Sequence, residues 1–114
     1  MDVGLVFPQL EIGTDPETLR EYASRAEAVG FDHLLAYDHV VGVDPDRPDW
    51  DGSYDYEDQF HEPMTLFSHL SAVTDDLSFV TGVLVAPQRQ TALVAKQAAQ
   101  VDRFSDGQFR LGIG

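Results

Sequence analysis

The chain has 114 residues, 43% of them hydrophobic and none of them cysteine, so it is the size of one globular domain and excludes wholesale disorder, disulfides and thiolate metal sites. Its formal net charge of −13 disfavours nucleic acid and anionic membrane surfaces as partners. There is neither a basic, apolar leader nor an apolar run long enough to cross a bilayer, so we expect a cytoplasmic protein that does not bind membranes.

The first strand and helix are predicted from the residues that begin and end them and from the spacing of apolar residues. Residues 3–7 are apolar and end at Pro8, which is typical of a buried strand. Thr14 or Asp15 can cap the helix that follows, and Pro16 suits its first turn. Gly30 stands where a left-handed cap ends a helix. The apolar face between these signals consists of Leu19, Tyr22, Ala23, Ala26 and Val29.

The later elements alternate in the same way. We predict strands at 33–37, 78–86 and 108–113, a helix that opens at Glu62-Pro63, and another helix at 91–104. Residues 40–61 are rich in Asp, Pro and Gly, and their apolar residues follow neither the helical nor the strand period. They are therefore predicted to form a loop.

The order β-α-β-α-β-α-β with apolar strands predicts an α/β protein with a parallel sheet. Periodicity does not distinguish a closed barrel from an open doubly wound sheet. A dinucleotide-binding fold needs a glycine-rich turn after the first strand. That position holds residues 7–11, Phe-Pro-Gln-Leu-Glu, so this fold is disfavoured.

Three segments resemble the luciferase-like monooxygenase family, and especially its branch that uses the deazaflavin coenzyme F420. They are Ala36–Val40, Thr81–Arg89 with its continuation Ala95–Ala99, and Val101–Gly107 with Phe109–Gly114. The resemblance covers the chain in order and spacing. It implies a (β/α)₈ TIM barrel in which residues 1–114 form the N-terminal part of one domain, a half barrel of four parallel strands and three helices.

The resemblance assigns roles to residues at the end of the second strand. It implies that His39 is the acid/base or substrate-facing group, and that Asp38 contacts the cofactor. Histidine as a residue type suits proton transfer near neutral pH. The alternative is a hydrogen-bonded pair that only holds the loop.

The third predicted strand contains a glycine in its interior, which often marks a bulge or the close approach of another group. By resemblance, a bulge at Gly82-Val83, often with a non-prolyl cis peptide, supports the cofactor ring. Val85 and Ala86 would then offer backbone groups to the ring's pyrimidine edge. The alternative is a glycine required by helix–sheet packing. Gln9, after the first strand, is predicted to hydrogen-bond either substrate or cofactor, or to make only a loop contact.

The loop at 40–61 contains seven acidic residues with interleaved aromatics. It is interpreted either as a lid over the substrate or as a solvated loop. Its acidic residues lack the spacing of a calcium-binding EF-hand, so no metal site is expected.

The leading functional hypothesis is hydride transfer between coenzyme F420 and an unknown small organic substrate. One alternative is an FMN-dependent monooxygenase on the same barrel. Another is a truncated, non-catalytic half barrel that dimerises, because a complete barrel has about 250 residues and eight strands. Exposed strand edges and one open apolar face favour a homo-oligomer.

Overall fold

The computed structural model describes residues 1–114, and its elements follow the predicted order. The strands are β1 Gly4–Val6, β2 His33–Ala36, β3 Ser78–Thr81 and β4 Phe109–Arg110. The helices are α1 Pro16–Val29, α2 Pro63–Leu70 and α3 Thr91–Phe104. The prediction of four strands that alternate with three helices is confirmed.

The strands form one parallel sheet in the order β1-β2-β3-β4. A doubly wound sheet reverses its strand order at a switch point, and this sheet has no reversal. Right-handed crossovers between neighbouring strands place the helices on one side of the sheet. Helix α2 accordingly packs against both α1 and α3. This is the arrangement of consecutive β/α units in a barrel wall.

The two faces of the sheet differ in cover. Leu5, Leu34, Phe79 and Phe109 share one face by register, and the helices pack on it. Phe67 of α2 lies against Phe79 with ring centroids 5.1 Å apart. The core therefore sits between the helices and this face.

The opposite face has no helix over it. Val6, Leu35, Val80 and Arg110 lie in register across it, one from each strand. Val6 is 51% exposed, whereas Leu34 on the covered face is fully buried. In a barrel this face points inward.

Helix α1 has the predicted ends. The Asp15 carboxylate accepts the Thr18 N–H at 2.8 Å, and Pro16 occupies the first turn. Gly30 is left-handed, with φ 99°, and its N–H reaches the carbonyls at the end of the helix. The prediction that Val29 faces the core is wrong. It is the last helical residue, it lies beyond the sheet, and it is 76% exposed.

The third and fourth strands are shorter than predicted. Regular pairing stops at Thr81 because the chain bulges at Gly82-Val83, where the peptide bond is cis. Pairing resumes as a single parallel bridge between Leu84 and Ile113. The apolar composition of 78–86 had predicted an uninterrupted strand, and the glycine at position 82 had predicted a bulge within it.

Residues 40–61 contain no helix or strand, as predicted. Helix α2 follows directly, and the Glu62 carboxylate accepts the Thr65 N–H at 2.8 Å to cap it. No helix in the structure has the length and apolar character needed to cross a membrane.

Candidate active site at the carboxyl ends of the strands

The predicted site residues gather at one edge of the sheet. Gln9 follows β1, Asp38 and His39 follow β2, and Gly82 follows β3. Parallel strands bring their carboxyl ends to the same edge, which is the catalytic face of barrels of this kind. The order of the elements alone places these residues together.

Asp38 is the most constrained of these residues, because its side chain is completely buried. Its carboxylate accepts the Val85 N–H at 2.7 Å and Nη2 of Arg89 at 2.8 Å, and it also accepts Nη1 of Arg89. Nη2 of Arg89 further donates to Glu62 Oε1 at 3.0 Å. The hydrogen bond with Asp38, opposed by partial burial and helped by Glu62, raises the pKa of Arg89.

This ion-pair group joins three parts of the chain. Asp38 belongs to the end of β2, Arg89 and Val85 to the turn after β3, and Glu62 to the start of α2. Bidentate arginine–carboxylate pairs fix geometry as well as charge. The Asp38 carboxylate has no exposed surface and is engaged by Val85 and Arg89, so the structure gives it a positioning role, and its contact with a cofactor stays a prediction.

The backbone N–H groups predicted for a ring edge are also engaged within the chain. The Val85 N–H donates to Asp38, and the Ala86 N–H donates to the Gly114 carbonyl at 3.3 Å. Their carbonyls accept from the following turn, Val85 from Gln88 and Ala86 from Arg89. The Val85 carbonyl also accepts Nη1 of Arg89 at 3.5 Å, so capacity for a second hydrogen bond remains at the Ala86 carbonyl.

The bulge at Gly82-Val83 is bridged by a side chain. The Thr81 hydroxyl donates to the Gly112 carbonyl and accepts the Gly112 N–H, both at 2.8 Å. The Leu84 N–H then returns to the same carbonyl at 2.8 Å. The β3–β4 connection is therefore continuous although the strand is interrupted.

Three glycines surround the bulge, at positions 82, 112 and 114. A Cβ on Gly112 would lie 2.3 Å from the Thr81 carbonyl oxygen, so no side chain fits there. A Cβ on Gly114 would lie 2.4 Å from a Val83 methyl. Val83 itself is 45% exposed. We call the surface of Gly82, Val83, Gly112 and Gly114 the glycine bed.

His39 carries an unsatisfied group. Its Nε2 is buried and has no hydrogen-bond partner. The ring lies against two aromatic side chains of the 40–61 loop, with centroid distances of 4.9 Å to Phe60 and 5.9 Å to Tyr54. Those two rings contact each other at 5.0 Å. Buried polar atoms are nearly always paired, and the only two side-chain exceptions are this nitrogen and Nδ1 of His33. Of the two residues, His39 is the one that lies at the edge where the candidate site residues meet.

A cleft of about 290 Å³ opens at the carboxyl ends of β1 and β2. Its walls combine the segment after β1 with two loop aromatics: Val6, Phe7, Pro8, Gln9, Leu10, Glu11, Tyr37, Tyr54 and Phe60. We call it the β1 cleft. The loop prediction of a lid gains support from this placement, because Tyr54 and Phe60 lie over both the cleft and His39.

Gln9 lines the β1 cleft but is 5% exposed. Its Nε2 donates to the carbonyls of Tyr37 at 2.8 Å and His61 at 3.2 Å, and its Oε1 accepts the His61 N–H at 2.8 Å. Of the two roles left open for Gln9, the structure shows the loop contact. One N–H therefore joins the segment after β1 to the end of β2, and the other joins it to the last residue of the 40–61 loop.

A larger groove of about 430 Å³ lies on the helix side, between the starts of α1 and α2. Its histidines make local contacts, His61 Nε2 with the Gly13 carbonyl at 2.8 Å and His69 Nε2 with the Pro16 carbonyl at 3.4 Å. It shares Glu62 with the ion-pair group, but its lining comes from α1, α2 and the chain just before them and not from the ends of the strands, so the smaller β1 cleft is the better candidate. No three His, Asp or Glu side chains come together to hold a metal ion.

Sequence reasoning did not identify Arg89 or Glu62 as members of the site. Arg89 lay within a segment quoted for the resemblance, but Glu62 was interpreted only as a helix start. They meet across 27 positions in the chain. No local pattern marks such a pair.

Comparisons with known proteins identify the family. The sequence model of the luciferase-like monooxygenase family matches residues 2–114. An FMNH(2)-dependent dimethylsulfone monooxygenase of Pseudomonas fluorescens is 31% identical over 113 residues, which is 96% of this chain and 28% of that protein.

Solved structures agree on the fold. The oxygenating constituent of 3,6-diketocamphane monooxygenase from Pseudomonas putida, in complex with FMN, superposes with a TM-score of 0.76 and 22% identity, over all of this chain and 29% of that one. The coenzyme F420 dependent tetrahydromethanopterin reductase of Methanopyrus kandleri gives 0.67 and 18%, over 99% and 26%.

The chain therefore belongs to the luciferase-like monooxygenase family, and its four-stranded parallel sheet with three helices is part of that family's α/β barrel. It spans less than a third of the length of the proteins just compared. The resemblance seen in the three sequence segments is confirmed.

Proposed function

We propose, with that membership as the premise, that this chain forms the β1–β4 side of the active site of an oxidoreductase that transfers a hydride between coenzyme F420 and a small organic substrate. His39 is the acid/base of the reaction. The observation that carries the proposal is the buried, unpaired Nε2 of His39 beside the strand ends. A hydroxyl or carbonyl group of a substrate can provide the hydrogen-bond partner that this nitrogen lacks within the chain.

The glycine bed fits the planar ring that FMN and F420 have in common. A flat ring needs a surface without projecting side chains, and positions 112 and 114 admit none. Val83 provides exposed apolar area on which such a ring can pack. When bound, the ring supplies the acceptance or donation of a hydride, chemistry that no amino-acid side chain provides.

The chain's own residues then supply position and proton transfer. Asp38 and Arg89 hold the Val85 turn against β2, which keeps the bed in one geometry. His39 Nε2 takes the hydroxyl proton when an alcohol is oxidised and returns it when a carbonyl is reduced. Phe60 and Tyr54 cover the imidazole and exclude water from it.

The second candidate is an FMN-dependent monooxygenase on the same bed. The 31% identity to an FMNH(2)-dependent enzyme over 96% of the chain favours it. The two candidates share the bed and the role of His39, and they differ in the cofactor and in the use of oxygen. Self-association remains a prediction for either candidate.

A cofactor titration of the native protein at its full length tests the proposal. Fluorescence titrations with F420 and with FMN are run on the wild type, on Val83→Asp and on Leu93→Asp. Leu93 is the matched control, since it is apolar and 55% exposed but lies on α3. We expect Val83→Asp to weaken ring binding at least about tenfold, because a charge is desolvated under an apolar ring, and Leu93→Asp to leave it unchanged.

The preferred cofactor decides between the candidates. Tighter binding of F420, with anaerobic bleaching of its absorbance by an alcohol, supports the hydride-transfer enzyme. Tighter binding of FMN, with oxygen consumption in its reduced form, supports the monooxygenase. Binding of neither ring overturns both.

A further inference from the structure

We propose that the β1 cleft binds the non-reacting part of a neutral, apolar substrate, and that Tyr54 and Phe60 determine this specificity. The proposal deepens the proposed function and rests on it, because it treats His39 as the group that meets the substrate's reactive end. It assigns a substrate class from the walls of the cleft.

The lining is apolar and of small-molecule size. Leu10 is exposed in the wall, and Tyr54 and Phe60 form the opposite side. A volume of about 290 Å³ is at the lower end of ligand pockets, so it admits a compact ring or short chain rather than a large cofactor. Aromatic walls add contact area for alicyclic or planar groups.

The polar groups of the cleft offer little to a charged ligand. Gln9 uses both of its N–H groups inside the chain. The hydroxyls of Tyr37 and Tyr54 make no hydrogen bond within the chain, so they can serve a single hydroxyl or carbonyl on a ligand.

The charge of the cleft disfavours anions. Glu11 is its one charged residue, and no lysine or arginine lines it. Arg89, at the same edge of the sheet, is matched by Asp38 and Glu62. A carboxylate, sulfonate or phosphate would therefore lose its hydration without gaining a cation, which is costly. The net charge of −13 adds repulsion at long range.

The position of the two aromatic residues connects the cleft to the reaction. Tyr54 and Phe60 line the cleft and also contact the His39 ring. A ligand that fills the cleft therefore rests on the same aromatic wall as the imidazole. Its apolar body packs there, and because His39 does not line the cleft and its Nε2 is buried, a polar group at the end of the ligand reaches that nitrogen only when Phe60 or Tyr54 turns aside.

The test uses two probes that differ in charge, cyclohexanol and cyclohexanecarboxylate, added to the native protein without cofactor. Binding is followed by NMR chemical-shift changes at the cleft residues. We expect cyclohexanol to bind at least about tenfold more tightly than the carboxylate. Equal affinities, or tighter binding of the carboxylate, would overturn the proposal.

Two substitutions to alanine test whether cyclohexanol binds in the β1 cleft. Phe60→Ala and Leu10→Ala are each expected to weaken cyclohexanol binding by about tenfold or more, because both remove apolar wall. Leu93→Ala on α3 is the matched control and is expected to have no effect. Leu10 keeps the test informative if Phe60→Ala disturbs the loop. Unchanged affinity in Leu10→Ala, with the fold intact, would sink the assignment.

A charge series tests the electrostatic part. Glu11→Gln and then Glu11→Lys should raise the affinity for cyclohexanecarboxylate stepwise and leave that for cyclohexanol within about twofold. Glu21→Lys makes the same charge change on the exposed side of α1 and serves as control. If Glu11→Lys and Glu21→Lys raised the affinity for cyclohexanecarboxylate equally, the effect would come from the net charge of the protein alone. That result would contradict a local role of Glu11 in the cleft.

The outcomes separate the two proposals. Binding of cyclohexanol in the β1 cleft with no binding of F420 or FMN would remove the proposed function and leave a binding site for neutral molecules. Binding of the cofactor with no binding of cyclohexanol would leave the oxidoreductase and remove this substrate class.

Discussion

The two ends of β2 carry the same residue in different surroundings. His33 begins the strand, and His39 lies three residues beyond its end. Each has a buried ring nitrogen without a partner, Nδ1 in His33 and Nε2 in His39. The His33 ring lies over Gly4, where an added Cβ would come within 2.1 Å of it. The His39 ring lies under loop aromatics beside an open cleft.

At the amino end of the sheet, two carboxylates accept short hydrogen bonds from the backbone. Oε1 of Glu27 accepts three consecutive backbone N–H groups, from Asp75 at 2.8 Å, Asp76 at 2.6 Å and Leu77 at 2.9 Å. Asp32 accepts the Val3 N–H at 2.6 Å. A polar groove of about 370 Å³ lies there, whereas the carboxyl end holds the long loop and the mostly apolar β1 cleft. The difference follows the division in barrels between an end that stabilises the fold and an end that performs the chemistry.

The largest effect is expected when each of the two histidines is replaced by asparagine in a separate variant. His39→Asn should lower turnover by about two orders of magnitude or more while the cofactor still binds, because a general acid/base contributes that much. His33→Asn should leave turnover within about twofold and change only the free energy of unfolding. Steady-state turnover and urea denaturation of both variants check this. Similar turnover losses in the two variants would erase the distinction between the ends.

The next prediction concerns the ion-pair group at the carboxyl end. Asp38→Ala leaves the largely buried Arg89 with Glu62 as its remaining ion-pair partner and leaves the Val85 N–H without its acceptor, so the free energy of unfolding should fall by about 3 kcal/mol. The double variant Asp38→Ala/Arg89→Leu should be less destabilised than the single one. Denaturant titration measures both. If Asp38 served only as a direct cofactor contact, the single variant would keep its stability and lose cofactor affinity.

At the amino end, Glu27→Ala should lower the free energy of unfolding by about 2–3 kcal/mol, because three N–H groups lose a charged acceptor. Glu21→Ala removes only an exposed pair with Arg25 on the same helix, and about 0.5 kcal/mol or less is expected. Turnover should be unaffected in both. Amide exchange at residues 75–77 reports the local loss, and unchanged protection in Glu27→Ala would contradict the role of this carboxylate.

The smallest effect is expected at the start of α1. Hydrogen bonds from the Thr18 hydroxyl and N–H lower the pKa of Asp15 below its ordinary value of 3.8. The folded state therefore favours the ionised carboxylate. The stabilisation is present above pH 3.8 and is lost as the pH falls through the lower folded value. In Thr18→Val an NMR titration should show the pKa of Asp15 closer to 3.8; an unchanged titration would remove the hydroxyl as a cause.

The helices were predictable because their signals are local. Pro16 and Gly30 bracket α1 within a few residues of its ends, and α3 was predicted with its observed bounds. The strand lengths were less predictable. The apolar run predicted one continuous strand over 78–86, whereas Gly82 within it predicted a bulge, and regular pairing does stop at Thr81. How the chain pairs with β4 across the bulge was not predicted.

The candidate site divides in the same way. The resemblance led to His39, Asp38 and Gly82, because short segments mark them. The ion pairs of Arg89 with Asp38 and Glu62 were not predicted, and neither were the hydrogen bonds between Gln9 and His61. Both depend on groups that are between 27 and 52 residues apart in the chain. Residue spacing along the chain contains no information about such meetings.

By itself the sequence determined the alternation of strands and helices, the caps, and the edge of the sheet at which the candidate site residues meet. These follow from hydrophobic period and from turn residues, which act over one or two turns of chain. Tertiary structure alone decided which polar groups are satisfied and which remain free. Asp38 became fully paired while Nε2 of His39, one residue later, had no partner. Hydrogen bonding and desolvation depend on the atoms that surround a group in space, and those atoms come from other elements of the fold.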